Sequence, residues 1–202
     1  VETILRMERR SLWPDATPTW HPIETSFAGD PKQKASYALV TDGEFIQVSF
    51  RVAGKPFALN SPIPGTFYEG LWFADCGEFW LYSPESDRYL EFNVGPEGAW
   101  WGQAFSAPRV RDLTCDPPTV STQVLPVPEG WGTQITFPWK DVERSLGTNA
   151  NLLANVTLVL GGCGDPDTPE NHFHSVAEFI GGKKDFHRPK DWLTLIVDGD
   201  IL

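Results

Sequence analysis

From Phe45 to Val52 the chain alternates without a break. Ile46, Val48, Phe50 and Val52 fall on one side, and Phe45, Gln47, Ser49 and Arg51 on the other. That two-residue period predicts a half-buried β-strand. Glu78–Tyr82 and Tyr89–Val94 repeat the pattern around the turn sequence SPESDR, which predicts a hairpin. A turn centred between Pro84 and Asp87 sets Tyr82 opposite Tyr89, Trp80 opposite Glu91 and Glu78 opposite Asn93, all on one face. Phe79, Leu81, Leu90, Phe92 and Val94 then face the core. Further strands are expected at Val120–Val127, Gly132–Phe137, Val156–Leu160, His174–Ile180 and Trp192–Val197, with residues 1–36 supplying an entry strand and a loop. Pro138 to Leu146 reads as one short helix, with Pro in the first turn, acidic residues early and Gly147 just beyond the end. Short strands separated by turns over residues 1–202, with no repeat or linker, predict an all-β chain. The expected architecture is a single antiparallel β-sandwich of jelly-roll or immunoglobulin-like type.

Composition narrows the function. Eighteen Gly and eighteen Pro fit a turn-rich β protein. With 16 basic against 27 acidic side chains the net charge is -11, which argues against nucleic acid or an anionic membrane as partner. No apolar run approaches the ~20 residues of a membrane helix. Residues 1–13, VETILRMERRSLW, lack the uninterrupted apolar centre of a signal peptide, leaving a cytoplasmic chain or a processed secreted or periplasmic one. Cys76, Cys115 and Cys163 are widely spaced and odd in number, so they are expected to be buried free thiols, neither a zinc site nor a disulfide framework.

Chemistry concentrates between Leu71 and Trp101, LWFADCGEFWLYSPESDRYLEFNVGPEGAWW. The non-core face of its hairpin carries Glu78, Glu91, Asn93, Trp80 and two tyrosines. Rings cover the apolar C–H faces of a sugar, while carboxylates and amides take its hydroxyls. Nine tryptophans in the chain point the same way. Trp100 and Trp101 fall on opposite faces of a following strand, so one of them is a platform candidate.

Four segments in order, LW-x-x-D-x-x-E (Leu71 to Glu78), YLEFNV-x-P-x-G-A (Tyr89 to Ala99), ITFPWKDV (Ile135 to Val142) and FHRPKDWLTL (Phe186 to Leu195), resemble the family 9 carbohydrate-binding modules and the related DOMON-like sugar- or haem-binding sandwiches. The resemblance implies that Trp72 and an aromatic residue of the last loop, here Phe186, sandwich a sugar ring, with Glu78 taking hydroxyls. Phe186 stands where Trp is common, and Asn93 where the family has Arg. With Glu91, Trp80, His187 and Arg188 these residues make the candidate saccharide site, for a mono- or oligosaccharide ligand and without a cofactor.

Other patterns support rival readings. His172-Phe-His174 followed by Glu178 resembles the first motif of cupin metal sites, with His187 as a fourth ligand, and alternation would place the two His and Glu178 on one face. Asp165, Asp167 and Glu170 are oxygen ligands suited to Ca²⁺. The haem branch of the relatives would need axial ligands from Met7, His21, His172, His174 or His187. Glycoside hydrolysis needs two carboxyls at a defined separation about the scissile bond, and Glu78 and Glu91, on neighbouring strands, are the candidates for such a pair. A sandwich serving only as a protein-interaction scaffold completes the alternatives. No G-x-S-x-G, Walker A or H-E-x-x-H sequence occurs. Non-catalytic saccharide binding accounts for the most residues.

Overall fold

A computed structural model describes residues 3–12, 17–27, 30–59, 63–162, 167–179 and 184–198. Its strands, in chain order, are β1 (Ile4–Arg9), β2 (His21–Pro22), β3 (Thr25–Ser26), β4 (Ala35–Thr41), β5 (Phe45–Ala53), β6 (Cys76–Ser83), β7 (Arg88–Val94), β8 (Trp100–Ala107), β9 (Val110–Arg111), β10 (Ser121–Leu125), β11 (Gly130–Pro138), β12 (Leu153–Val159), β13 (Phe173–Ser175) and β14 (Leu193–Val197). One α-helix, α1 (Trp139–Leu146), follows β11. No helix among the described residues is long and apolar enough to cross a membrane.

Eleven of these strands form one continuous path, β10-β11-β5-β4-β1-β14-β12-β6-β7-β8-β9, with β2 added to β4, and β13 to β12 and β3; the path curls until its two legs face each other across a core. Pairing is antiparallel except at β1, which runs parallel to both neighbours. Ile4–Met7 pairs with β14, and Glu8–Arg9 pairs with β4. The expected antiparallel sandwich is therefore corrected to a curled mixed sheet, a half-barrel joined through β1. Alternation in β1 sends Leu5 and Met7 into the core, but it carries no information about strand direction.

The hairpin of β6 and β7 has the register read from the sequence: Tyr82 pairs with Tyr89, Trp80 with Glu91 and Glu78 with Asn93. A slip of one residue would have turned Phe79, Leu81, Phe92 and Val94 out of the core and brought carboxylates into it. Those four side chains are buried against Val48 and Phe50 of β5. Phe92 stacks on Phe137 of β11 with ring centroids 4.3 Å apart. The legs approach so closely at Gly77 that a Cβ there would lie 2.6 Å from the Phe50 ring. Glycine is needed at that point to let a ring fill the space.

The helix begins after Pro138 and ends at Gly147, whose left-handed backbone (φ 78°) returns its N–H to the Glu143 carbonyl, as a C-terminal glycine cap does. Val142 and Leu146 point from it into the core. The strand expected at His174–Ile180 is shorter, ending at Ser175, because Asn155 draws the chain away. Its Oδ1 accepts the Ala177 amide, where a strand partner would otherwise be needed. Ile180 lies outside the described residues. Cys76 is buried, Cys115 is only half-buried, and Cys163 lies outside the described residues.

Candidate functional site

The outer face of β12, β6, β7 and β8 is roofed by a second apolar cluster. Its strand members include Trp80, Tyr82, Tyr89, Trp101, Phe105 and Val159, and the roof is built from Leu71, Phe173, Phe186 and Trp192. Trp72 sits in a single 3-10 turn (Leu71–Phe73) entered from Gly70, whose φ of 96° lets the chain reverse sharply into it. The turn stands the indole at the sheet end, edge-on to Trp101 with centroids 5.0 Å apart. Phe186 packs between Phe27, Phe179 and Trp80. Between these walls lies a cavity of about 550 Å³ whose lining includes Trp72, Phe73, Glu78, Trp80, Glu91, Trp101, Phe186 and His187.

Its carboxyl groups are buried. Glu78 Oε2 accepts a 2.6 Å hydrogen bond from the Thr157 hydroxyl, which itself accepts the Trp80 indole N–H at 2.7 Å. Burial pushes the Glu78 carboxyl up to about 7, against the lowering effect of the Thr157 bond. Glu91 is raised as well, first by burial and then by the charge of Glu78, although the Asn93 amide donates to it at 3.0 Å. Two carboxyls that share one dry face resist ionising together. Near neutral pH such a floor offers O–H donors as well as acceptors, which suits hydroxyl recognition.

His187 Nδ1 lies 2.7 Å from the Tyr89 hydroxyl, which accepts the Arg109 amide. Its Nε2 stands 3.9 Å from Glu91. Burial, then the nearby Arg109 charge, holds the imidazole down to about 4, so it is neutral at pH 7. At the mouth the Arg109 guanidinium makes two bonds to Asp185, at 2.8 and 3.2 Å. Burial acts to raise the Asp185 carboxyl, but the bonds from Arg109 and the His187 amide outweigh it and hold it low. Arg111 reaches Glu69 at 2.6 Å and lies over the Trp101 ring at 5.4 Å.

Six of the sequence candidates therefore meet in one cavity: Trp72, Glu78, Trp80, Glu91, Phe186 and His187. Asn93 lies behind Glu91, fully buried, and does not line the cavity. Arg188 turns away, because it pairs with Asp191 at 2.6 Å and lies over the Phe179 ring. Phe73, Phe105, Arg109, Arg111 and Asp185 were not read as site residues. The signal was available for Phe105, since β8 sets Trp101 beside Asn93 and Phe105 beside Tyr89. Extending the alternation by one strand finds it.

The pattern of His172, His174 and Glu178 comes apart in three dimensions. His174 Nε2 accepts the Lys32 amide at 3.1 Å, and His172 Nδ1 is 2.9 Å from the Leu160 carbonyl. Glu178 is exposed beyond the end of β13, so the one-face triad does not form. Among the described residues no group of three or more His, Cys, Asp or Glu side chains is arranged to hold a metal ion. Asp165 lies outside them, while Asp167 and Glu170 are exposed.

No protein-family model matches the chain, and no curated protein matches it. Solved structures do. One is a protein from Bacteroides uniformis provisionally named as carbohydrate-binding, with TM-score 0.72 and 14% identity, covering 98% of this chain and 100% of the other. A family 9 carbohydrate-binding module from Caldicellulosiruptor kristjanssonii, solved with cellotriose, matches with TM-score 0.58 and 11% identity over 98% of this chain and 97% of its own. The same module solved with glucose gives the same TM-score and identity. At these identities the likeness establishes the fold and leaves the ligand to the residues of the cavity.

Proposed function

We propose that this chain is a non-catalytic saccharide-binding module of the family 9 type, folded as one domain of sandwich-like architecture, that holds a sugar between Trp72 and Phe186 over Glu78. The observation that carries the reading is the presence of these three residues on the walls of one cavity of about 550 Å³, within the size range of small-ligand sites. Trp80, Glu91 and His187 also line it, the buried carboxyls serving hydroxyls that would otherwise go unpaired. Solved modules of similar fold hold cellotriose and glucose, which supports the ligand class. The reading requires no cofactor.

Isothermal titration calorimetry against a panel of neutral and acidic oligosaccharides tests it. Trp72→Ala removes one wall and is expected to weaken binding by about 1–3 kcal/mol, the scale of burying an apolar face, with the near-ultraviolet dichroism of the remaining rings preserved. A Trp72→Ala protein that binds each saccharide as the parent does overturns the reading.

One observation favours a second reading. Glu78 and Glu91 both line the cavity with raised pKa values, and an acid paired with a carboxylate is glycosidase chemistry. Turnover of an aryl glycoside by the parent, lost in Glu78→Gln and in Glu91→Gln, would establish it over the binding reading.

A further inference from the structure

Acidic side chains outnumber basic ones by 27 to 16 in the whole chain, yet around the cavity the two kinds are equal in number. Arg109, Arg111 and Lys184 line it, against Asp185, Glu78 and Glu91. Of these carboxyls, Asp185 stays ionised and is taken up by Arg109, while burial keeps the two glutamates toward the neutral acid.

The arginines are placed on both aromatic walls. Arg111 lies over Trp101, which meets Trp72 edge-on, and Arg109 pairs with Asp185, the residue before Phe186. Arg109 turns only Nε and Nη2 to Asp185 and Arg111 only Nη2 to Glu69, so among the described residues their Nη1 groups have no hydrogen-bond partner. Arg109 also holds a left-handed backbone (φ 62°) in the two-residue turn between Ala107 and Val110. Following Pro108, this is the turn position that favours glycine. Keeping arginine there costs backbone energy and sets a guanidinium, 63% exposed, at the cavity mouth.

Resting on the saccharide-binding reading, we propose that the cavity selects an anionic saccharide, a uronic acid or its oligomer, whose carboxylate is taken by Arg111 and Arg109 while the ring lies between the aromatic walls. A planar guanidinium fork matches a carboxylate with paired hydrogen bonds. The floor, with its hydroxyl-like donors, takes the neutral remainder of the sugar.

Two matched pairs of probes test this by calorimetry at low ionic strength: cellotriose with its C6-oxidised triuronate, and methyl-esterified with free trigalacturonate. Each pair shares a skeleton and differs in charge. The acid is expected to bind at least tenfold more tightly than its neutral partner in one pair, with the ratio falling as salt rises. Arg111→Met should bring that ratio close to one, and Arg111→Lys should restore it in part. Because Arg111 is a half-exposed rim residue, neither change threatens the fold. Neutral probes that bind as tightly as their acids overturn the charge selectivity and leave the saccharide reading standing. Absence of binding by all four probes overturns both. Tighter binding of a sulfated trisaccharide than of either uronate overturns the carboxylate as the recognised group.

Discussion

Replacing Glu78 by Gln keeps the shape of the side chain and removes its titration. The carboxyl is buried, with one oxygen on the Thr157 hydroxyl and the other 3.7 Å from the Cys76 sulfur, and burial raises it from 4.5 to about 7. Its folded value lies above the unfolded one, so the fold favours the protonated acid. The stability this group contributes is complete below about pH 4.5 and is lost as pH rises through about 7. At about 1.4 kcal/mol per pKa unit, the loss is on the order of 3 kcal/mol. His174 and His187, held down to about 4 by burial, act in the opposite sense. Their contribution is present above about pH 6.5 and is lost as pH falls. The pH profile of the parent alone therefore mixes opposing effects, and the informative quantity is the difference between parent and Glu78→Gln. Urea unfolding at intervals from pH 4 to pH 9 should show a constant difference at the acid end. Toward pH 8 it should shift in favour of Gln by on the order of 3 kcal/mol. Relief of Glu91 from the charge of Glu78 adds to the shift in the same direction. A difference that stays flat across this range would mean that the Glu78 carboxyl titrates alike in the folded and unfolded chain, and would refute the buried-acid account of the floor.

Phe137→Ala empties the space between Phe92 and Phe79 and is expected to cost about 3–5 kcal/mol in chemical denaturation; a loss below about 1 kcal/mol would show that the legs close over the gap. Gly77→Ala drives a methyl to 2.6 Å from the Phe50 ring and should cost about 1–3 kcal/mol, recovered in part by a smaller residue at Phe50, with thermal unfolding of the double variant as the check. Tyr89→Phe removes the hydroxyl that accepts the Arg109 amide and meets His187; a loss of about 1–2 kcal/mol is expected, together with a His187 titration displaced in NMR spectra, and an unchanged titration would count against that contact.

The sequence by itself determined the local geometry and the sorting of faces. The β6–β7 register was legible because a period of two makes each slip expose apolar side chains, and Phe79, Leu81, Phe92 and Val94 permit only one solution. The helix was legible because Pro138 and Gly147 punctuate its ends. That Trp72, Glu78 and Phe186 share a site was implied by the family resemblance of their segments, not by any local pattern, since Trp72 sits in a 3-10 turn and Phe186 in a loop. What the tertiary structure alone decided concerns partners and coverings. Alternation says which side chains share a face and nothing of what lies above it, so the roof over Glu78 and Glu91, and with it their raised pKa values, came only from the packing of the 3-10 turn and the last loop. Strand direction leaves no trace in alternation either, so β1 could be recognised as a strand but not as the parallel join between two legs. Arg109 and Arg111 belong to the same class. A two-residue turn and a two-residue strand carry no period, and only the fold brings their charges over the rings of distant segments.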